Sequence, residues 1–157
     1  MKPELFYREG SIIMAEEVTT DLPIKTRWAI ALEWFPRNNR SITAILTGYL
    51  CPECSSKLLT IGKKSTPESL MSAINTCCSQ SPGFITERLP ILEAVFRFYL
   101  TNGNTPLTID ELDEQINRIH GGNAYRYSPE ALLHIMKADM YYGLQEIPDS
   151  PTNVNNS

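Results

Sequence analysis

Four cysteines, the only ones in the chain, stand in two pairs: Cys51-Pro52-Glu53-Cys54 and the adjacent Cys77-Cys78. A Cys-Pro-x-Cys step presents two thiolates to one ion, because a tight turn aims both sulfurs at the same point. The 22 residues between Cys54 and Cys77 are close to the spacing of four-cysteine zinc sites. The chemistry implied is a structural Zn²⁺ held by Cys51, Cys54 and one or both of Cys77 and Cys78. Such a closed site holds a fold together, whereas catalytic zinc keeps an open position. One tension is geometric. Adjacent side chains on a helix point about 100° apart, so Cys77 and Cys78 reach one ion together only where the helix frays. His120 or His134 is then an alternative fourth ligand. The other readings are four small buried apolar side chains and a redox pair at Cys51 and Cys54, which lacks a surrounding βαβ pattern.

Little else in the chain has the look of chemistry. His120 precedes Gly121-Gly122 at a helix end, where an imidazole complements the helix dipole. The only other histidine is His134. No nucleophile–histidine pairing follows from spacing, and no glycine-rich stretch reads as a phosphate loop. Glu111, Asp113 and Glu114 read as a solvated first helical turn. The expectation is a protein that is not an enzyme.

The bulk properties narrow the setting. The chain has 157 residues, 42% hydrophobic and 20% charged, with a net charge of -4. That is a globular composition without a global basic field for nucleic acid or anionic lipid. No apolar run is long enough to span a membrane, and no basic-then-apolar leader opens the sequence. Four cysteines without a secretion signal point to a reducing, cytoplasmic setting.

Mostly helices must position the cysteines. Residues 26–35 read as a short buried helix that hides Trp28 and Trp34. Ser41 reads as the N-cap of a second helix running directly into Cys51, with Ile42, Ile45, Leu46, Tyr49 and Leu50 inward. Residues 58–62 look strand-like or loop-like. Thr66-Pro67-Glu68 opens a helix that ends at Cys77-Cys78. Later, residues 89–100 form an apolar-faced helix stopped by Asn102-Gly103-Asn104 in a left-handed cap. Thr108 and Glu111 make a capping box for the next helix, which stops at Gly121-Gly122. Ser128-Pro129-Glu130 opens another, and residues 141–147 read as a turn and a strand.

The order helix, short strand, capped helix, turn, capped helix, strand over about residues 87–147 resembles a winged helix-turn-helix. Thr105-Pro106-Leu107-Thr108-Ile109-Asp110-Glu111-Leu112 is similar to that superfamily's passage from strand to second helix. The chain as a whole also resembles bacterial proteins to which no activity is attached, so that likeness implies none. The superfamily implies either a helix in the DNA major groove or a protein-docking module. A groove-reading helix here would be residues 128–139, with Arg126, His134 and Lys137 as the nucleic-acid candidates. Residues 84–147 carry nine acidic against five basic side chains. DNA affinity leans on phosphate neutralisation, so a protein partner is the first expectation and DNA the second. A thiol redox sensor is third and needs an exposed, low-pKa thiolate.

Two smaller clusters complete the reading. Arg37, Asn38, Asn39 and Arg40, near Lys25 and Arg27, are the most basic surface candidate, and Lys57, Lys63 and Lys64 lie near the cysteines. Both read first as solvated loops. Tyr125, Tyr127, Tyr141 and Tyr142 are packing residues or an exposed docking face. The expected fold is mainly α. It has an N-terminal arm (1–22), a helical cysteine-containing segment (23–83), a winged-helix-like segment (84–147) packed on it, and a disordered tail (148–157).

Overall fold

Three short strands form a sheet where the sequence suggested two, a short strand just before residue 109 and a strand within residues 141–147. A computed structural model describes residues 26–61, 65–119 and 127–148. The arm, the tail beyond residue 148, His120, the Gly121-Gly122 stop, Tyr125 and Arg126 lie outside the described residues, as do Lys25, Lys63 and Lys64. Strand β1 (Arg27–Ile30) is followed by the helices α1 (Trp34–Arg37), α2 (Ile42–Thr47), α3 (Pro52–Ile61) and α4 (Pro67–Thr76). A 3₁₀ turn (Cys78–Gln80) leads on to α5 (Ile91–Thr101), β2 (Leu107–Thr108), α6 (Ile109–Ile119), α7 (Pro129–Lys137) and β3 (Leu144–Ile147). Residues 27–147 form one unit, mainly helical with a small antiparallel sheet in the order β2-β1-β3. Among the described residues no helix is long and apolar enough to cross a membrane.

The stretch read as one helix hiding both tryptophans is instead strand β1, a turn and the start of α1. Trp28, Ala29 and Ile30 are all buried. A short continuous apolar run suits a strand covered on both faces as well as it suits a buried helix, and two partners decide the matter. Arg27 and Trp28 pair with Thr108 and Leu107, and all four residues of β1 pair with Ile147 to Leu144. Trp34, now at the start of α1, is only partly buried and sets its ring edge-on to Phe35. Residues 58–61 are likewise not strand or loop but the last part of α3. Pro52 opens this helix with its fixed φ, and Glu53 pairs with Lys57 one turn on, at 3.7 Å on an exposed face.

The helix caps expected at Ser41, Thr66 and Thr108 hold in their physical detail. Ser41 Oγ accepts the Ala44 N–H, and Thr66 with Ser69 forms a reciprocal capping box. Thr108 and Glu111 do the same at α6, where Glu111 Oε1 accepts the Thr108 N–H and Thr108 Oγ1 accepts the Glu111 N–H. Gly103 (φ 71) and Asn104 (φ 60) make the left-handed exit after α5. Asn104 also has a second task. Its amide accepts from the Ile30 N–H and donates to the Ile30 carbonyl, both at 2.9 Å. It thereby satisfies the end of β1 as a neighbouring strand would.

The core runs through these elements without a break. Phe35, Leu46, Ile74, Val95, Phe96, Tyr99, Leu100, Leu112, Ile116, Leu132, Met136 and Leu144 are fully buried. Tyr99 donates its hydroxyl to the Trp28 carbonyl at 2.7 Å inside this core, and burial raises its pKa. Asn117 bridges α6 to the approach of α7 through both backbone groups of Tyr127.

Candidate metal centre

The cysteine site forms where one helix begins and another ends. The Cys51 carbonyl accepts the Ser55 N–H, which makes Cys51 the cap of α3 and Cys54 its third residue. Here α2 stops at Thr47 rather than running into Cys51, and a turn through Tyr49 and Leu50 delivers the chain. At the other end α4 stops at Thr76. Cys77 leaves helical geometry (φ -127, ψ -62) before the 3₁₀ turn begins at Cys78. This break removes the divergence expected of adjacent helical side chains, and both sulfurs turn to the same side.

All four sulfurs lie within 4.8 Å of one another. The Cys51 and Cys77 sulfurs are 3.8 Å apart. A regular tetrahedron with Zn–S bonds of about 2.3 Å has edges of about 3.8 Å, so the set fits a single ion after a small contraction. Cys78 is buried and the other three are partly exposed. The group can therefore hold a metal ion with four sulfur donors. His134 is not part of it: it sits exposed in the last turn of α7.

Local hydrogen bonds bias the thiols unequally. The Cys54 backbone N–H, with help from the Cys78 thiol, lowers the Cys51 pKa to about 7. The α3 N-terminus acts in the same sense. The Cys77 thiol and burial raise the pKa of Cys54. Burial raises that of Cys78, although the Cys51 N–H donates to its sulfur at 3.1 Å. A metal ion replaces thiol protons when it binds, so its apparent affinity rises with pH. We expect titration with zinc to release protons near neutral pH, and metal retention to weaken progressively as pH falls below 7. A pH-independent affinity would contradict thiolate ligation.

An aromatic cluster braces the two approaches to the site. Tyr49, two residues before Cys51, packs on Phe84 and Phe96. Arg97 stacks over the Tyr49 ring at 4.9 Å and the Phe84 ring at 5.5 Å. It also donates to the Phe84 carbonyl and pairs with Glu93 at 2.6 Å in a partly buried setting. Sequence reading missed this role, because Arg97 and Glu93 look like an ordinary helix-surface pair.

The remaining site candidates do not converge on the cysteines. His134 and Lys137 are exposed one turn apart on α7, with Glu130 and Ala131. Asp139, the last residue of the helix expected over 128–139, lies past the end of α7. Its carboxylate accepts from the backbone N–H groups of Tyr141, Tyr142 and Leu144. Its place within five residues of Gly143 was the available signal, since Asp favours such turns. No family model, curated protein or solved structure matches the chain. Fold and site together define a mainly helical protein with a small sheet and a four-cysteine group suited to a metal ion.

Proposed function

We propose that the chain is a non-enzymatic adaptor or regulatory protein, stabilised by a structural Zn²⁺ and acting through a protein partner. The observation that carries the structural metal is the convergence of four sulfurs from the start of α3 and the end of α4. Four thiolates favour zinc or iron. Zinc suits a site whose four positions are all filled by protein, with none left for a substrate. Elemental analysis of freshly purified, reduced protein tests this. About one zinc per chain supports the reading; no metal, or a coloured iron protein, overturns it.

The docking role rests on the C-terminal half. Elements α5, β2, α6, α7 and β3 follow in winged-helix order, and β1 completes the sheet between β2 and β3. No hairpin joins β3 to β1, whose paired ends Ile147 and Arg27 lead to opposite ends of the chain. The strand paired with β3 is therefore β1, more than 110 residues earlier in the chain, rather than the next strand along it. Lys137 faces a shallow recess shared with Asp139 and Glu146, an acidic neighbourhood for a phosphate.

The second reading is a DNA-binding regulator, favoured by the consecutive helices α6 and α7 and by exposed His134 and Lys137. The two separate by salt dependence. A groove reader loses affinity steeply with salt, and removing Lys137 flattens that slope. We expect no specific DNA binding tighter than about micromolar at physiological salt. A binding-site selection that returns a defined motif with nanomolar affinity would promote the regulator.

A further inference from the structure

The two most exposed large apolar side chains among the described residues are neighbours: Met140, 73% exposed, and Tyr141, 65% exposed. Single exposed apolar residues need no explanation, but this pair is held outward by built structure. Asp139 ties down the N–H groups of Tyr141, Tyr142 and Leu144. The next residue, Tyr142, turns inward onto Phe96 at 5.2 Å between ring centres. The turn thus fixes Met140 and Tyr141 in the solvent-facing position, which lowers the ordering cost of any contact they make.

One positive charge borders the pair, and a second stands three residues before the first in the chain. The Arg40 guanidinium lies over the Tyr141 ring, 5.6 Å from its centre. Arg40 is itself fixed by its N–H to the Phe35 carbonyl at 2.8 Å, following Asn39 at φ 58. Arg37, at the end of α1, is exposed. Among the described residues neither arginine has an ion-pair partner. Asp139 is occupied by backbone donors, and Glu33, one turn before Arg37, forms no ion pair with it. A guanidinium lying over a tyrosine ring can still direct N–H donors at a planar, bidentate acceptor such as carboxylate.

We propose that Met140, Tyr141, Arg37 and Arg40 form a docking surface for an acidic peptide segment, with an apolar side chain on Met140 and Tyr141 and carboxylates on the two arginines. The proposal rests on the adaptor reading and names the partner's chemistry. Methionine, tyrosine and arginine are the residue types enriched at protein interfaces. The chain's net charge of -4 does not oppose this, because charges beyond about 8 Å are screened at physiological salt.

The probe is a fluorescein-labelled peptide, Glu-Asp-Phe-Glu-Glu-Leu-Asp-Glu, titrated by anisotropy against the full, metal-loaded chain. A counterpart with Lys in place of each acid and a labelled oligothymidylate are run beside it. We expect saturable binding of the acidic peptide, weakened about tenfold by the double variant R37E/R40E and by M140A/Y141A. R37E/R40E should instead gain binding to the basic counterpart, with circular dichroism establishing that the variant is folded. Absence of binding by the acidic peptide, or binding indifferent to these four residues, overturns the proposal. So does tighter binding of the oligonucleotide through the same residues. Failure of this surface is distinguishable from failure of the adaptor reading. Capture of one stoichiometric protein partner that R37E/R40E leaves undiminished removes the surface and keeps the adaptor. Peptide binding as expected, with sequence-specific nanomolar DNA binding beside it, removes the adaptor reading alone.

Discussion

Changing Cys54 to serine should empty the metal site and melt α3, while the sheet keeps its protection from hydrogen exchange. The reason is how little burial the described side chains of α3 have. It has ten residues, and an isolated helix shorter than about 12–15 residues is marginal in water. None of its side chains from Pro52 to Leu58 is fully buried, and Leu58 is only partly so. Its N-terminal turn is held through Cys51 and Cys54, which meet Cys77 and Cys78 at the end of α4. By contrast α4 buries Leu70 and Ile74 in the core, and β1 is hydrogen-bonded on both edges. Metal content should fall from about one ion per chain to near zero. Amides of residues 55–61 should then exchange at nearly the rate of an unstructured chain, those of residues 27–30 and 91–101 far more slowly. Chelation of the unaltered protein should give the same pattern. Equal loss in β1 and α3 would mean that the metal supports the whole core; no loss in α3 would mean that it supports none of it.

The helix caps and the cysteine spacing were legible from residue types because their causes are local. Ser41, Thr66, Thr108 and Ser128 each cap a helix through a side chain three residues from its partner, and that distance is visible in one dimension. The Cys51–Cys54 step is local in the same way. What stayed hidden depended on partners far along the chain. Trp28-Ala29-Ile30 is a buried strand because β2 and β3, some 80 to 120 residues later in sequence, pair with it. Helical and strand readings of so short an apolar run differ only through such partners. Asn104 and Tyr99 likewise act on β1 across the fold, through Ile30 and Trp28. The fraying at Cys77 could be named as a requirement of four-sulfur ligation, but the cap geometry that meets it is a property of the folded chain.

Gly143 to alanine is the second substitution expected to have a large effect, and it tests the turn on which the docking surface depends. Gly143 has φ +64, where an alanine side chain is strained. A Cβ there would also lie 2.7 Å from Phe35 Cε2 and 3.3 Å from Trp34 Cε3. Phe35 is fully buried, so its ring cannot swing into solvent, and the clash must shift either α1 or the start of β3. The Gly143 carbonyl meanwhile accepts the Ala31 N–H at 2.8 Å, which ties the same residue to the end of β1. Backbone strain and overpacking together should cost about 2–4 kcal/mol, a fall in thermal midpoint of about 10 °C for a domain of this size. Urea unfolding of the metal-loaded protein measures the first quantity and calorimetry the second. An unchanged stability would show that the turn relaxes freely, and with it that Met140 and Tyr141 are not held in a fixed position. A destabilised but folded variant should bind the acidic peptide more weakly than the unaltered chain while retaining its metal, because the cysteine cluster lies on other elements. Loss of both together would instead indicate global unfolding, which circular dichroism at the assay temperature separates from the local effect.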